Sequence, residues 1–260
     1  MQKENKMGTK PVFPLLLSMA YPPMISMVIQ AMYNIVDTMF VSRYSQNAMT
    51  AVSLSFPIQN LILSVAVGLG IGVNSFIARK LGEKNYEKAN QAVSHILLMA
   101  AVSYILFLLM GLFLLRPFFS LFTEPGEIFE MGMEYLTIVV FCSFGQLFHI
   151  AIEKVLQGTG NMLYPMIMQI LGAVINIVLD PILIFGLWGF PEMGVAGAAA
   201  ATVIGQICSM LLAVFLLLFK TSVVKLDLKH FRLDLSIVRD IFAVGFPSML
   251  MNSLGSVLVM

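Results

Sequence analysis

Seven long apolar segments, separated by short polar stretches, take up nearly all of this chain. They lie at about residues 12–40, 50–78, 89–115, 129–156, 163–187, 195–219 and 237–260. A helix needs about 20 mostly apolar residues to cross a bilayer, and each of the first six segments is long enough. We therefore predict an all-α membrane protein, with a six-helix transmembrane lobe over residues 12–219 and the beginning of a second, parallel repeat over residues 237–260.

The composition excludes an ordinary soluble domain. Hydrophobic residues make up 59% of the chain and charged residues only 11%, whereas about a quarter of a soluble domain is charged. The first apolar segment is too long for the hydrophobic region of a signal peptide, so we expect it to be retained. Cys142 and Cys208 fall inside predicted helices, which indicates neither a disulfide framework nor a zinc site. No cofactor is expected, and the net charge of +1 gives no sign of a nucleic-acid partner.

The basic residues are distributed unevenly between the two sides that the segments define. Thirteen lysines and arginines fall on the side of the N-terminus, and only Arg43 and Arg116 fall on the other side. Because basic loops stay in the cytoplasm, this asymmetry predicts that the N-terminus lies inside. We expect a multi-pass protein of the plasma membrane, surrounded by lipid. Residues 1–11 are then a cytoplasmic N-terminus, and residues 220–236 are a cytoplasmic linker.

The last segment begins with a phrase that resembles part of the first. AYPPMISM at Ala20–Met27 is followed 224 residues later by VGFPSMLM at Val244–Met251. Six spans separate the two phrases, so both enter the membrane in the same direction, as in transporters built from parallel repeats. We expect the chain to be part of a protein near twice its length, in which a second lobe or a second copy completes the structure.

Polar side chains on two predicted helices lie at membrane depth, where they are costly unless they face a partner or a cavity. On the first helix, Gln30, Asn34 and Asp37 follow one another at spacings of four and three residues, which places them on one face. On the fifth helix, Asn176 precedes Asp180 by four residues. Both aspartates are therefore candidate functional residues.

The surroundings of Asp180 favour an ion site. Pro181 lacks an amide and so frees the carbonyl of Ile177 beside the carboxylate. At about 1.5 Å of rise per residue, Asp180 and Thr202 each lie roughly 10 Å below the outer surface. Oxygen ligands suit a hard cation such as Na⁺, and a carboxylate in a low dielectric can carry a proton instead. The same side chains could also serve helix packing alone, through hydrogen bonds between helices.

Three further features are interpreted as structural. Glu153 and Lys154 lie at the cytoplasmic end of the fourth segment and predict an interfacial ion pair. His149, one turn earlier, is interpreted as a core histidine with satisfied hydrogen bonds. GLGIG at Gly68–Gly72 has no strand before it and lies within a span, so it predicts close helix packing and no nucleotide site.

Several phrases, taken together, are typical of one family. They are NIVDTMFVSR from Asn34, LSFPIQNL, GLGIGVNSFIARKLGEKN, VLQGTGN, NIVLDPILIFG and GVAGAAAATVIG. Through them the chain resembles the N-terminal lobe of MATE multidrug efflux transporters over essentially its whole length. The resemblance implies a secondary active antiporter, not an enzyme, that exports amphipathic cationic drugs or metabolites in exchange for Na⁺ or H⁺.

The resemblance also implies roles for individual residues. Ion coupling, with Na⁺ or H⁺ as the ligand, is assigned to Asp37, Asp180, Asn176 and Thr202. The substrate cavity is assigned to Gln30 and Asn34, and helix hinges to Pro22, Pro23 and Pro181. The first helix is expected to bend when its aspartate is protonated.

Three alternatives stay open at this point. A lipid-linked saccharide flippase shares the helical plan, but it is expected to have a more cationic central cavity, whereas the charges within the spans here are chiefly acidic. A non-transporting fragment is the second alternative. An intramembrane aspartyl protease would also need two aspartates on separate helices, but such enzymes place one of them in a GxGD context, and Asp180 lies in VLDP.

Overall fold

The structure is a computed structural model that describes residues 11–221, 223–226 and 233–258, with only the backbone of 255–258. Its α-helices are α1 Val12–Tyr44, α2 Gln46–Gly82, α3 Tyr86–Phe122, α4 Glu127–Phe141, α5 Phe144–Gly158, α6 Leu163–Phe185, α7 Gly194–Phe215 and α8 Leu235–Leu258. A 3₁₀ turn at Leu187–Gly189 follows α6, and a π turn at Leu216–Lys220 continues α7. The all-α prediction is confirmed.

The helices also confirm a multi-pass membrane protein. Five of them are long and apolar enough to cross a membrane, namely α1, α2, α3, α6 and α7 with its π turn. The bent pair α4–α5 makes a sixth if it is taken as one span. The helix α8 is not among these, so the seventh span stays a prediction. Most of the predicted N-terminus, at residues 1–10, lies outside the described residues, as do residues 222 and 227–232 of the predicted linker and residues 259–260.

The fourth predicted segment differs from the expectation of one helix over residues 129–156. It is broken into α4 and α5, which meet at an angle of 46° around Cys142 and Ser143. Tyr104 of α3 donates a hydrogen bond of 2.9 Å to the carbonyl of Phe141, which gives that carbonyl a partner on another helix. Hydropathy does not reveal such a break, because it does not record where a backbone group finds its partner.

Short turns join the first three helices, and polar caps explain where α2 and α3 begin. The hydroxyl of Ser45 accepts a hydrogen bond of 2.9 Å from the amide of Ala48 at the start of α2. The side chain of Asn85 accepts one of 3.1 Å from the amide of Lys88 at the start of α3. Each cap satisfies an amide that the helix itself leaves free.

The helices α6 and α7 cross at very short range because small residues meet there. A Cβ atom on Gly205 would lie only 2.8 Å from the carbonyl oxygen of Gly172. The helix α1 packs beside them, mainly against α6. At its end, the rings of Phe40 and Tyr44 each lie 6.4 Å from the ring of Phe185. These contacts bring α1, α6 and α7 together at one level.

The GLGIG phrase takes part in close helix packing, as predicted, and the structure shows that its partner is α8. A Cβ atom on Gly245 of α8 would lie 2.6 Å from the carbonyl oxygen of Gly68. One turn further along α2, a Cβ atom on Gly72 would overlap the carbonyl oxygen of Ile241. Glycine at these positions therefore lets the backbones of α2 and α8 approach closely.

The helices that carry the predicted hinges are continuous. Pro22 and Pro23 lie inside α1, and Pro181 lies inside α6. The hydroxyl of Ser26 donates a hydrogen bond of 3.2 Å to the carbonyl of Pro22. The hinge role of the three prolines therefore stays a prediction.

Candidate functional site

Four of the predicted site residues come together where α1, α6 and α7 meet. The side-chain amide of Asn176 donates a hydrogen bond of 3.2 Å to the hydroxyl of Thr202. The carboxyl groups of Asp37 and Asp180 lie within hydrogen-bonding reach of each other. Asp180, Asn176 and Thr202 are buried, with exposures of 0%, 2% and 8%. Polar residues that lie on separate helices in the sequence thus form one cluster in the structure.

The two carboxylates are poorly supplied with donors: the side-chain amide of Asn176 lies within reach of Asp180, but it already donates to Thr202. None of the described residues donates a well-formed hydrogen bond to Oδ1 of Asp37 or to either carboxylate oxygen of Asp180, although all three atoms are buried. Two ionised carboxylates cannot donate to each other, so they form a hydrogen bond only when a proton lies between them. A cation between them would satisfy the same oxygens. The pair is therefore suited to hold a proton or a small cation.

The donor set around this pair consists of oxygen atoms. Oδ1 of Asn176 is buried and has no donor among the described residues, so it is available beside the carboxylates. The hydroxyl oxygen of Thr202 lies next to it. No group of three or more His, Cys, Asp or Glu side chains comes together in the described part of the chain. Two carboxylates with amide and hydroxyl oxygens suit a hard cation better than a transition metal.

Tyr33 belongs to the cluster, and the sequence prediction misses it. Its hydroxyl lies within hydrogen-bonding reach of Thr202, and the residue precedes Asp37 by one turn. Tyr33, Asp37, Phe40 and Tyr44 follow one another at spacings of four, three and four residues, and they form the stripe of α1 that faces α6 and α7. The spacing of four between Tyr33 and Asp37 is the signal that could have identified Tyr33.

A second polar pair lies beside this cluster. Tyr135 of α4, only 3% exposed, donates a hydrogen bond of 3.5 Å to Oε1 of Gln59 on α2. The Tyr135 hydroxyl lies close enough to interact electrostatically with Asp37 and Tyr33. The amide nitrogen of Gln59 is buried and has no acceptor among the described residues. The polar region therefore extends from α1 towards α2 and α4.

Gln30 and Asn34 are placed differently from the four central residues. Both are exposed on α1, and no hydrogen bond within the described residues joins either of them to the cluster. They lie two turns and one turn before Asp37 along the helix. Their position leaves them accessible to a molecule that binds beside α1, so the predicted cavity role is still untested.

Comparison with known proteins places the whole chain among membrane transporters. The model of the family MatE matches residues 22–182, a range that includes Asp37, Asn176 and Asp180. The FAD transporter of Shewanella oneidensis is 26% identical over 270 residues, which cover 100% of this chain and 58% of the relative. The multidrug export protein MepA of Staphylococcus saprophyticus is 28% identical, over 94% of this chain and 53% of the relative.

Solved structures agree with these sequence matches. A MOP superfamily transporter from Pyrococcus furiosus, described as having a binding pocket of reverse polarity, is 32% identical and superposes with a TM-score of 0.84. The superposition covers 92% of this chain and 52% of that structure. The chain therefore spans about half the length of the proteins that it matches.

Proposed function

Since the chain belongs to the MatE family of transporters, we propose that it forms one lobe of a secondary antiporter that exports amphipathic cationic compounds across the plasma membrane in exchange for Na⁺ or H⁺. The observation that carries this proposal is the Asp37–Asp180 pair, two adjacent carboxyl groups whose buried oxygens accept no well-formed hydrogen bond from the described residues. Such a pair is costly in a membrane protein unless an ion or a proton occupies it. The coupling site is Asp37, Asp180, Asn176 and Thr202.

The proposed coupling between ion binding and movement of α1 follows from the charges of Asp37 and Asp180. A bound cation or proton cancels the repulsion between Asp37 on α1 and Asp180 on α6, and its release restores that repulsion. The helix α1 is the element that can respond, because it packs mainly against α6 and little of its apolar span is buried. Pro22 and Pro23 interrupt the hydrogen-bond ladder of α1 and supply its bending point. Pro181 does the same beside the carboxylate on α6.

The substrate is proposed from the charge of the site. Acidic groups beside an accessible surface favour a cation, and the exposed side chains of Gln30 and Asn34 line the proposed cavity. The multidrug export protein of Staphylococcus saprophyticus supports drug-like substrates. The relative in Shewanella oneidensis is an FAD transporter, which makes a flavin nucleotide the second candidate. A second lobe, or a second copy of this one, closes the cavity.

The orientation is part of the same proposal. Thirteen of the fifteen lysines and arginines fall on the side of the N-terminus, which supports an N-terminus in the cytoplasm. In that orientation the Asp37–Asp180 pair lies nearer the outer end of α1 and α6. The driving ion then enters from outside while the substrate enters from the cytoplasm.

The test uses bacteria that lack their own efflux pumps and express the complete gene. In everted membrane vesicles, a gradient of Na⁺ or H⁺ should drive transport of the cationic dye ethidium. Asp37→Asn and Asp180→Asn should each abolish this transport while the protein still inserts. The matched control is Glu87→Gln, which removes a carboxylate from an exposed position and should leave transport unchanged. Undiminished transport by both aspartate variants would overturn the site, and transport of FAD in place of ethidium would select the second substrate.

A further inference from the structure

A second buried polar cluster lies between α5 and α6, away from the aspartate pair. Its centre is the carboxylate of Glu153, which is only 3% exposed. Oε1 accepts a hydrogen bond of 2.8 Å from the amide of Gln157 and lies 3.3 Å from Nζ of Lys154, so the predicted ion pair is confirmed. Oε2 accepts a hydrogen bond of 3.1 Å from the amide of Gln169 on α6. Eleven residues of α6, about 16 Å of helix, separate Gln169 from Asp180.

The carboxylate of Glu153 can accept more hydrogen bonds than its neighbours in the cluster donate. An ionised carboxylate accepts about four hydrogen bonds, two on each oxygen. Gln157 donates to Oε1, which also lies 3.3 Å from Nζ of Lys154, and Gln169 donates to Oε2. Oε2 also lies 3.9 Å from Nε2 of His149. That nitrogen is buried and has no hydrogen-bond partner among the described residues. The expectation of a satisfied core histidine is therefore wrong.

The chemistry of His149 Nε2 and Glu153 Oε2 shows how a proton could join them. A carboxylate oxygen is an acceptor, whereas Nε2 of a neutral imidazole is an acceptor in one tautomer and a donor in the other. A proton added to the ring makes both of its nitrogens donors and gives the ring a charge opposite to that of Glu153. A shift of roughly 0.7–1.2 Å would then bring the two atoms within hydrogen-bonding distance. We propose that His149 and Glu153 together form a proton-binding site, which takes one proton from water and holds it between Nε2 and Oε2.

The other groups around the ring modulate this site without replacing it. Burial of the His149 ring opposes its charged form most; of the charges that act on it among the described residues, Glu153 favours the proton and Lys154 opposes it. The stem of Lys154 lies against Gly70 of α2, while its Nζ donates a hydrogen bond of 3.0 Å to Oε1 of Gln157. Asn74 of α2 contributes only a neutral amide, which donates a bond of 3.3 Å to the backbone carbonyl of Lys154. The amides of the cluster are neutral as well, so Glu153 is the anion that pairs with the protonated ring.

The site bridges two helices. The proton and the amide of Gln169 share Oε2, so the occupied site holds α5 and α6 through the same oxygen. The helix α6 also carries Asn176 and Asp180. Proton binding at His149 does not depend on the proposed antiport function, however, because the two sites share no residue. A failure of one proposal therefore leaves the other standing.

The test is nuclear magnetic resonance of the whole chain in lipid nanodiscs, with labelled histidine rings and glutamate carboxyl groups. The chain has three histidines, and His149→Gln assigns the signal of interest. Between about pH 5 and pH 8, the ordinary range for histidine, the His149 ring should gain one proton. The Glu153 carboxyl carbon should shift with the same midpoint. Glu153→Gln should abolish this ring transition within the range, whereas Glu87→Gln, the exposed control, should leave it unchanged.

Two results would overturn the proposal. One is a His149 ring that stays neutral across the range, and the other is a Glu153→Gln variant whose ring titrates as in the parent chain. His95 is the internal reporter of folding, because its Nε2 accepts a hydrogen bond of 2.9 Å from the amide of Asp234. Loss of the His95 signal in Glu153→Gln would mean that this variant is misfolded, and the His149→Gln variant then tests the proposal. In His149→Gln, the Glu153 carboxyl carbon should no longer show the transition that it shares with the ring. An unchanged transition would also refute the site.

Discussion

The side-chain amide of Asn176 on α6 donates a hydrogen bond of 3.2 Å to the hydroxyl of Thr202 on α7. The short crossing of Gly172 and Gly205 brings the two helices close enough for this bond. Both partners are buried, so neither has water as an alternative partner. The bond therefore orients Asn176 and leaves its Oδ1 free beside the aspartates.

Removing the hydroxyl of Thr202 should destabilise the lobe and weaken its ion site. Thr202→Val keeps the shape of the side chain but leaves a buried amide donor unpaired, which costs about 1–3 kcal/mol. We expect a lower midpoint of thermal unfolding in detergent, and a smaller rise of that midpoint when Na⁺ is added or the pH is lowered. Thr202→Ser keeps the hydroxyl and is the matched control. Equal unfolding and equal ion response in the two variants would contradict this role.

The crossing of α2 and α8 should be sensitive to a single methyl group. Gly72→Ala would place a Cβ atom against the carbonyl oxygen of Ile241, and overpacking of this kind costs about 1–3 kcal/mol. Gly82→Ala is the control, because nothing lies within 4 Å of a Cβ atom at that position. Comparison of the two unfolding midpoints checks the prediction. A Gly72→Ala protein as stable as the control would show that α8 is not held against α2.

The spans are predictable from the sequence because a bilayer requires long apolar segments. Both aspartates are predictable because a charge within such a segment is costly and therefore rare. Tyr33 is missed because its ring alone does not distinguish it from an aromatic residue that faces lipid, although its spacing of four from Asp37 places it on the same helix face. The break after Phe141 is missed because Tyr104, its hydrogen-bond partner, lies on another helix. The unpaired Nε2 of His149 is missed for a similar reason. The cluster around Glu153 includes Gln169 of α6, which only the folded chain brings near.

The start of α8 should loosen as the pH falls. The hydroxyl and the backbone amide of Ser236 hold the pKa of Asp234, which caps this helix, below its usual value. A carboxyl group with a lowered pKa stabilises the fold above its ordinary pKa of about 3.9, and this stabilisation is lost as the pH falls through the lowered value. Hydrogen exchange at Ser236 should accelerate over that interval.

The control for this pH effect is Ser236→Ala, which removes the hydroxyl and keeps the backbone amide. The pKa of Asp234 should then move back towards its usual value, and the loosening of α8 should begin at a higher pH. Titration of the Asp234 carboxyl carbon checks both statements. An unchanged titration in Ser236→Ala would show that the hydroxyl does not stabilise the carboxylate.

The bend between α4 and α5 should depend on the hydroxyl of Tyr104. Tyr104→Phe removes the partner of the partly buried Phe141 carbonyl, and loss of such a hydrogen bond costs about 0.5–1.5 kcal/mol. The ring contact with Phe144, at 5.7 Å between centroids, is available to phenylalanine as well, so the variant isolates the hydrogen bond. Tyr21→Phe is the matched control because Tyr21 is 67% exposed on α1. We expect a lower unfolding midpoint and faster exchange of the amides of Ser143 and Gly145 for Tyr104→Phe only. Equal behaviour of the two variants would mean that the bend is fixed by packing rather than by this bond.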